Sequence, residues 1–357
     1  MPELKRYISL IELVKGTTFR SILLYLISVG LGLIIGGALP ALAINISPME
    51  VYQTIFYASL GNMLRISETL VKTIPLWLIG LGIAVAFSSG FWNIGAEGQF
   101  YWGAIAAIGI GIIISGMNLP PPIAILLILI AGFLAGALWA LIPAVLKVYL
   151  GVNEIIVTVM MNFIAIYFAE YLILGPWRDP AVPEPMTYAL PLEARLPKIL
   201  PGTPLHAGIF IAIIATLVAY VILEKTPLGF EIKCVGNNPK AALWSGINLS
   251  KVVISSMLLS GGLAGLAGVC EITGIHYRLL RGVSPGYGFL AIIVALLAKL
   301  SPLGVPASAF FFAMLLVGAD ALQRTVKIPV SAVYVIQAVI LLSVIVLEIV
   351  LRRGLKR

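Results

Sequence analysis

A short polar segment interrupts a long apolar stretch of this sequence, where residues 91–100 read FWNIGAEGQF. Glu97 is the only charged residue between positions 73 and 146. A carboxylate within a bilayer costs about 3 kcal/mol and usually marks a functional site, where it can bind a proton or a cation. The amides of Asn93 and Gln99 could instead exchange hydrogen bonds with a polar solute. The segment is therefore the first candidate for chemistry in this chain.

Structural roles compete with these functional ones. Because Glu97 falls where a helix would begin, its carboxylate could cap that helix, whose positive dipole end favours an anion. The neighbouring Phe91 and Trp92 could stack on a flat ring, or they could belong to an interfacial aromatic belt. The glycines of the segment let the backbone leave helical geometry, which at membrane depth is tolerated only within protein or beside a wet cavity. Residues 91–99 are thus predicted to form either part of a polar path or a turn.

A second segment farther along the chain has the same outline. Residues 281–298 read RGVSPGYGFLAIIVALLA and, like NIGAEGQFYWGAIAA at 93–107, combine a glycine-rich break, an aromatic residue and an apolar helix. The two breaks follow spans predicted to run in opposite directions, which is the pattern of an inverted repeat around a site at the membrane midplane. Tyr287 and Phe289 therefore join the candidates for a solute path. Close helix packing through small residues would produce a similar pattern.

A third polar feature opens another apolar run, GVNEIIVTVMMNFIA at 151–165. Glu154 falls in the first helical turn, where an anion is favoured. Asn162 lies two turns farther on and must find a partner within the helix bundle or face a cavity. A contact with a solute and a hydrogen bond between helices are equally compatible with this position.

The composition indicates the kind of protein that contains these segments. The chain has 357 residues, of which 61% are hydrophobic and 11% charged, with a mean hydropathy of +1.08. Soluble domains carry about 25% charged residues, so the apolar excess and its recurrence predict a polytopic membrane protein. The net charge of +8 fits the usual cytoplasmic excess of Lys and Arg, and no soluble basic face is present to bind nucleic acid.

The remaining reactive side chains show no motif. Cys234 and Cys270 lack the spacing of a metal site or a disulfide framework. No acid–base or metal cluster surrounds His206 or His276, the only histidines. The sequence therefore predicts no catalytic residue, no metal and no cofactor, and it disfavours a membrane-embedded enzyme.

Ten spans are predicted, and because backbone groups in lipid must pair internally, all of them are helices. The fold class is therefore an all-α polytopic membrane protein with an inverted internal repeat, in one transmembrane domain over residues 1–357. The predicted spans cover 21–45, 73–90, 98–117, 121–146, 153–175, 207–224, 251–270, 284–299, 302–319 and 329–348.

The segments between the spans set the orientation. Placing both termini in the cytoplasm puts most of the 23 Lys and Arg residues on that side. Residues 1–20 then form a cytoplasmic interfacial segment, since 4–15 has one apolar helical face. The proline-rich segment 176–206 becomes an extracytoplasmic loop, which suits an ordered cap, a docking surface or a passive connector. Residues 225–250 become the longest cytoplasmic excursion between spans.

Three of these stretches resemble one transporter family. WNIGAEGQ at 92–99, GVNEIIVTVMMN at 151–162 and VGNNPKAALWSGI at 235–247 are similar to stretches in permease subunits of ABC importers. The class is the one that serves branched-chain amino acids, simple sugars and nucleosides, and the closest likeness is to its sugar and nucleoside branch. One departure is the pair Ser88 and Ser89, where many relatives have a basic residue, which leaves the end of the second span uncertain.

The resemblance implies a permease in the cell membrane that works with other proteins. These would be a second permease, identical or different, an ATP-hydrolysing subunit and an extracytoplasmic solute-binding protein. This chain lacks the G-x-x-x-x-G-K-[ST] phosphate loop, so ATP hydrolysis is expected on the separate subunit. On this reading residues 235–247 form the helix that couples to the ATPase, through Gly236, Asn237, Asn238, Pro239, Ala241, Ala242 and Gly246. Asn237 or Asn238 with Pro239 can start such a short helix. Ala241, Ala242 and Gly246 would then form a small-residue surface that fits a groove on the partner.

The expected function is translocation of a nucleoside or simple sugar delivered by a binding protein. The expected path is lined by Phe91, Trp92, Asn93, Glu97, Gln99, Asn162, Tyr287 and Phe289. The alternative is an ion-coupled secondary transporter of a small polar solute, in which Glu97 would bind H⁺ or Na⁺. A plain solvated loop is the alternative reading of 235–247.

Overall fold

A computed structural model describes residues 47–325 continuously, together with positions 30, 34, 35, 334, 335, 338, 339, 342, 343 and 346. Within these residues the chain is helical, and its only β pairings are isolated bridges. The chain separates into two compact units, Asn62–Ala313 and Met1–Gly61 with Met314–Arg357. The single domain expected from the sequence stays a prediction.

Eleven α-helices are described between residues 47 and 325. In chain order they are α1 Pro48–Leu60, α2 Met63–Ser88, α3 Ala96–Ile114, α4 Pro121–Leu150, α5 Glu154–Leu174, α6 Gly208–Lys225, α7 Pro227–Asn237, α8 Pro239–Trp244, α9 Leu249–Glu271, α10 Tyr287–Leu297 and α11 Val305–Thr325. A 3₁₀ turn at Leu192–Ala194 lies in the long loop before α6, and a π turn at Ile272–His276 extends α9.

Seven of these helices are long and apolar enough to cross a membrane: α2, α3, α4, α5, α6, α9 with its π turn, and α11. They correspond to seven of the ten predicted spans. The predicted spans 21–45 and 329–348, and the interfacial segment 1–20, lie outside the described residues apart from isolated positions. The predicted span 284–299 is an 11-residue helix, α10, which at 1.5 Å per residue covers about 16 Å, half the length that a crossing requires.

Asparagine side chains begin four of the helices. Asn62, Asn153, Asn238 and Asn248 each accept a backbone N–H hydrogen bond from the first turn of α2, α5, α8 and α9, at 2.9–3.1 Å. Such caps satisfy N–H groups that have no partner within the helix, and each contributes about 1 kcal/mol. Asparagine residues within an apolar sequence thus fix where these four helices start.

Helix α9 forms the centre of the larger unit through close backbone contacts. A Cβ atom on Gly103 of α3 would overlap the backbone of Gly265 in α9, and one on Gly136 of α4 would overlap the backbone of Gly261. Because lipid gives no hydrophobic drive for helix association, such close packing through small residues holds spans together. These contacts place α3 and α4 against α9 at Gly265 and Gly261.

The loop between α5 and α6 is ordered, which answers one question that the sequence left open. Its backbone pairs Arg178 with Thr187 and Met186 with Leu280. Arg278 donates a 2.7 Å hydrogen bond to the Asp179 carboxylate, and this bond lowers the pKa of Asp179 below its ordinary value. The loop is thereby tied to the segment that follows the π turn.

His206 is buried where this loop enters α6, and burial lowers its pKa to about 4, with a further contribution from Lys198. Its Nδ1 accepts a hydrogen bond from the backbone N–H of Gly208 at 3.2 Å, so the folded ring is neutral. A group whose pKa is depressed on folding stabilises the fold above its unfolded pKa, about 6.5 for histidine, and that contribution is lost as pH falls toward the folded value.

We therefore expect acidification to lower the free energy of unfolding through protonation of His206. The shift from 6.5 to about 4 corresponds to about 3 kcal/mol of unfolding free energy, lost between pH 6.5 and pH 4. The measurement is thermal unfolding of the purified protein in detergent, compared between wild type and His206→Gln across this pH range. The difference between their midpoints should change with pH, and an unchanging difference would contradict the assignment.

Candidate functional site

The polar segment found in the sequence forms a closed hydrogen-bond network. The Asn93 amide donates to Gln99 Oε1 at 3.0 Å and to Ser260 Oγ of α9 at 2.9 Å. Its oxygen accepts from the Gln99 side-chain amide at 3.1 Å and from the backbone N–H of Gly95 at 3.0 Å. Both amide hydrogens and both oxygen lone pairs of Asn93 are therefore in use, and the residue is fully buried.

Asn162 connects this segment to α5. Its side-chain oxygen accepts from the backbone N–H of Gly98 at 2.8 Å, and its amide donates to the carbonyl of Ile94 at 2.8 Å. Asn162 is fully buried, and one of its bonds satisfies an N–H group in the first turn of α3. The sequence left a solute contact and a helix–helix bond open, and the structure places a bond between helices here.

Glu97 links the start of α3 to the start of α10. Its carboxylate accepts the backbone N–H of Gly288 at 2.6 Å, and the Ser284 hydroxyl also hydrogen bonds to it. The Ser284 oxygen in turn accepts from the backbone N–H of Gly286 and Tyr287. Glu97 therefore lies in the first turn of one helix and caps another, in the positive field of both helix N-termini.

The two glycine-rich breaks are in direct contact. A Cβ atom on Gly288 would overlap the backbone N of Glu97, so only glycine allows this approach. The sequence comparison matched these segments by outline alone, and the structure brings them to one place. We use the name hub for Asn93, Glu97, Gln99, Asn162 and the residues they bond, Ser260 and Gly288. An inverted repeat around the hub stays a prediction.

The aromatic candidates for the path fall into two groups. Phe91 and Tyr287 are each 3% exposed, and the Tyr287 ring lies 6.0 Å from Phe100. Trp92 and Phe289 are 48% and 42% exposed. Of the four, only Trp92 and Phe289 therefore present ring surface to a solute in this conformation.

The predicted coupling segment is a pair of helices, α7 and α8. Asn238 caps α8 by accepting the Ala241 N–H at 3.1 Å, and Pro239 is its first residue, as the sequence indicated. Gly246 ends the turn after it with φ of +82°. We use the name elbow for α8 and this turn.

The exposed surface of the elbow differs from the small-residue surface that the sequence suggested. Ala242 is 3% exposed and packs inward, whereas Leu243 and Trp244 are 59% and 91% exposed. An aromatic side chain at the last position of a capped polar helix was the signal that the sequence analysis passed over. The exposed surface of the elbow thus includes two large apolar side chains, Leu243 and Trp244, together with Ala241 and Gly246.

An apolar cluster attaches the elbow to the membrane helices. Its buried members come from α2, α6, α7, α8 and α9, and are Val85, Leu223, Ile232, Val235, Ala242 and Val252. The cluster therefore packs α8 against the ends of α2, α6 and α9.

A backbone contact joins the end of α7, the helix before the elbow, to the segment that leads into the hub. A Cβ atom on Gly236 would overlap the carbonyl of Ser88, the last residue of α2. Next in the chain come Ser89 and Gly90, whose φ of +78° turns the chain toward Asn93. The hydroxyls of Ser88 and Ser89 both donate to carbonyls in the last turns of α2, at 2.7 Å.

Comparison with known proteins gives the hub and the elbow a context. A family model described as branched-chain amino acid transport system, permease component, matches residues 65–345. The chain is 35% identical over 329 residues to a guanosine ABC transporter permease of Bacillus subtilis, covering 90% of this chain and 92% of the relative. It is 35% identical over 322 residues to a glucose ABC transporter permease of Haloferax volcanii, covering 87% and 84%.

A third relative is a nucleoside ABC transporter permease of Lactococcus lactis, 33% identical over 336 residues that cover 92% of this chain and 91% of the relative. No solved structure matches the chain. The family match spans all seven crossing helices, the hub and the elbow. Helices long enough to cross a membrane, a buried polar hub between two broken segments and a relationship over most of the length agree with one another. The chain therefore belongs to the family of permease components of branched-chain amino acid transport systems.

Proposed function

We propose that this protein is the membrane-spanning permease subunit of an ATP-driven importer that moves a nucleoside or a simple sugar across the cell membrane. The observation that carries the proposal is the 33–35% identity, over about nine tenths of the chain, to permeases named for guanosine, nucleosides and glucose. A second permease, an ABC ATPase and an extracytoplasmic solute-binding protein complete the complex. Both termini and the elbow lie on the cytoplasmic side.

The structure of the hub is suited to a gate that opens and closes the solute path. Each of its amides bonds within the protein and is buried, so the hub in this conformation presents no exposed amide to a solute. The Glu97–Gly288 bond joins two helix starts, and parting them would expose a carboxylate and the N–H groups of both helices. Those groups match the hydroxyls of sugars and nucleosides. Closing and opening of the hub would thus expose the solute path alternately to the two sides of the membrane.

The elbow suits contact with the ATPase. Trp244 is 91% exposed at the end of a capped helix, and buried tryptophans at interfaces often contribute 2–4 kcal/mol to binding. An apolar groove on the ATPase would receive this indole together with Leu243.

We expect Trp244→Ala to lower recovery of the ATPase in co-purification at least ten-fold, because about 2 kcal/mol of lost affinity corresponds to a factor of about 30. The matched control is Lys240→Ala, an exposed change on the same helix that leaves the apolar surface intact. The measurement is the ratio of ATPase to permease after affinity purification of the co-expressed complex. Equal recovery with Trp244→Ala and Lys240→Ala would remove Trp244 from the interface.

The function itself is tested by uptake into proteoliposomes that contain the complete complex. Radiolabelled guanosine and glucose are supplied with the binding protein, with ATP on the side of the ATPase. The proposal expects uptake of one of them that requires both ATP and the binding protein. Uptake driven by an ion gradient without ATP would instead identify an ion-coupled transporter and overturn the proposal.

A further inference from the structure

Three of the membrane helices are only partly covered by the rest of the described protein, and their exposed faces differ. On α4, the exposed large side chains over 123–145 are all aliphatic. The exposed large side chains of α6 are likewise apolar, and one of them, Phe210, is aromatic. On α5, the exposed stripe contains Tyr167 and Tyr171, 64% and 62% exposed. Aliphatic faces suit lipid, whereas phenol hydroxyls need a hydrogen-bond partner that lipid tails lack.

The residues of this stripe follow helical spacing along one face of α5. Its members, defined here as the α5 stripe, are Met160, Phe163, Ile164, Tyr167 and Tyr171, all at least 47% exposed. Their separations of three and four residues place them on one side of the helix. The stripe is on the same helix as Asn162, which faces the opposite way into the hub. One helix therefore holds the gate on one side and presents the stripe on the other.

An interfacial position does not account for Tyr167. It lies 13 residues after Glu154 and thus about 20 Å along a helix of about 31 Å. Because the Cα–Cβ bonds of a helix tilt toward its N-terminus, the side chain leans away from the nearer end and toward the middle of the span. Its hydroxyl would therefore lie in hydrocarbon if this face were covered by lipid.

The exposed end of the stripe continues a column of stacked rings. Trp102 of α3 stacks on Phe168 with ring centroids 5.3 Å apart and planes at 17°, and Phe168 stacks on Tyr171 at 6.2 Å and 27°. The indole N–H groups of Trp102 and Trp139 are buried beside it, with no acceptor among the described residues. A flat ring placed on Tyr171 would extend the column, and such ring pairs contribute about 1 kcal/mol beyond burial.

We infer that the α5 stripe faces the water-filled solute path, and that Tyr167 and Tyr171 contact a solute with a flat, hydrogen-bonding ring, as in a nucleoside, in preference to a simple sugar. The inference rests on the proposed function and specifies its substrate class. The hub amides then hold the gate, while the stripe forms the wall along which the solute passes.

Cysteine labelling tests whether this face is wet. In a chain carrying Cys234→Ser and Cys270→Ala, Tyr167→Cys is compared with Leu217→Cys, which is 57% exposed near the middle of α6. The complete complex in proteoliposomes is treated with a charged methanethiosulfonate, which reacts with thiolates in water and not with thiols in lipid. We expect Tyr167→Cys to react at least ten-fold faster than Leu217→Cys.

Several outcomes would overturn the inference. Equal reaction rates at the two positions would place the stripe in lipid. Rapid disulfide formation between two permeases at Tyr167→Cys, without labelling, would make the stripe an interface between subunits. Met160→Cys, 52% exposed on the same stripe, gives the same comparison if Tyr167→Cys fails to assemble.

Protection of the label tests the solute class. With Tyr171 intact, millimolar guanosine should slow labelling of Tyr167→Cys at least three-fold, whereas millimolar glucose should not. Protection by glucose alone, or by neither solute, would overturn the assigned class. Labelling requires neither ATP nor an assembled ATPase, so its failure is distinct from a failure of ATPase co-purification or of ATP-dependent uptake.

Discussion

Asn162→Ala is expected to destabilise the protein by about 4 kcal/mol and to abolish solute uptake. The alanine cannot accept the Gly98 N–H or donate to the Ile94 carbonyl, which leaves a buried N–H group and a partly buried carbonyl without these partners. Each unsatisfied buried group costs about 1–3 kcal/mol, and lipid around the bundle gives neither group another partner. Loss of these bonds frees the segment that carries Asn93 and Glu97 from α5. Thermal unfolding in detergent and uptake into proteoliposomes measure the two effects.

The matched control for this change is Asn153→Ala on the same helix. Asn153 caps α5 with a 2.9 Å bond from Ile155, but it is exposed, so water replaces the lost bond and the cost is about 1 kcal/mol. A similar loss for Asn162→Ala and Asn153→Ala would show that the buried bonds do not hold the segment.

Gly236→Ala is expected to reduce uptake at least ten-fold while the ATPase still co-purifies. The added Cβ would overlap the Ser88 carbonyl, so the end of α7 must move away from the end of α2. Overpacking of this kind costs about 1–3 kcal/mol and changes the backbone contact between α7, which leads into the elbow, and the segment that leads to the hub. The side chains of α8 that are proposed to bind the ATPase are unaltered. Uptake and ATP hydrolysis are measured together, and the number of solute molecules moved per ATP hydrolysed should fall.

Asn237→Ala provides the neighbouring control, because Asn237 is exposed and forms no part of the contact with Ser88. We expect it to leave uptake per ATP near the wild-type value. If Gly236→Ala transports normally, force reaches the hub by another route, such as the apolar cluster around Val85. If Gly236→Ala instead loses the ATPase, the contact at Ser88 holds the elbow in its docking position and does not transmit its motion.

These two predictions connect the elbow to the hub in one physical sequence. If the proposed function holds, movement of α8 would reach the end of α2 through the apolar cluster and through Gly236 at the end of α7. The end of α2 leads within a few residues to Asn93, and the hub bonds α5, α9 and α10 to the start of α3. A network with every bond satisfied resists partial distortion, so it favours two discrete arrangements over a continuous range.

Much of this protein was determined by its sequence alone. The apolar runs between polar and proline-rich breaks predicted seven spans that the structure describes. In lipid, a single segment satisfies the hydrogen bonds of its own backbone by forming a helix. Asn238 followed by Pro239 predicted the start of α8 for the same local reason, that a cap and a first-turn proline need only their neighbours. The motifs at 92–99, 151–162 and 235–247 also indicated the family that the comparisons establish.

The tertiary structure decided what the polar residues do. Nothing in the local sequence shows that Glu97 bonds to Gly288, since 191 positions separate them and the contact depends on how α3 and α10 pack. The run at 284–299 looked long enough to cross, yet its helix covers only Tyr287–Leu297, where the Ser284 hydroxyl and the Glu97 carboxylate cap a start inside the bundle. Composition and spacing record which groups are polar and where helices begin. Which of those groups bond to each other, and which stay exposed, follows only from the packing of distant segments.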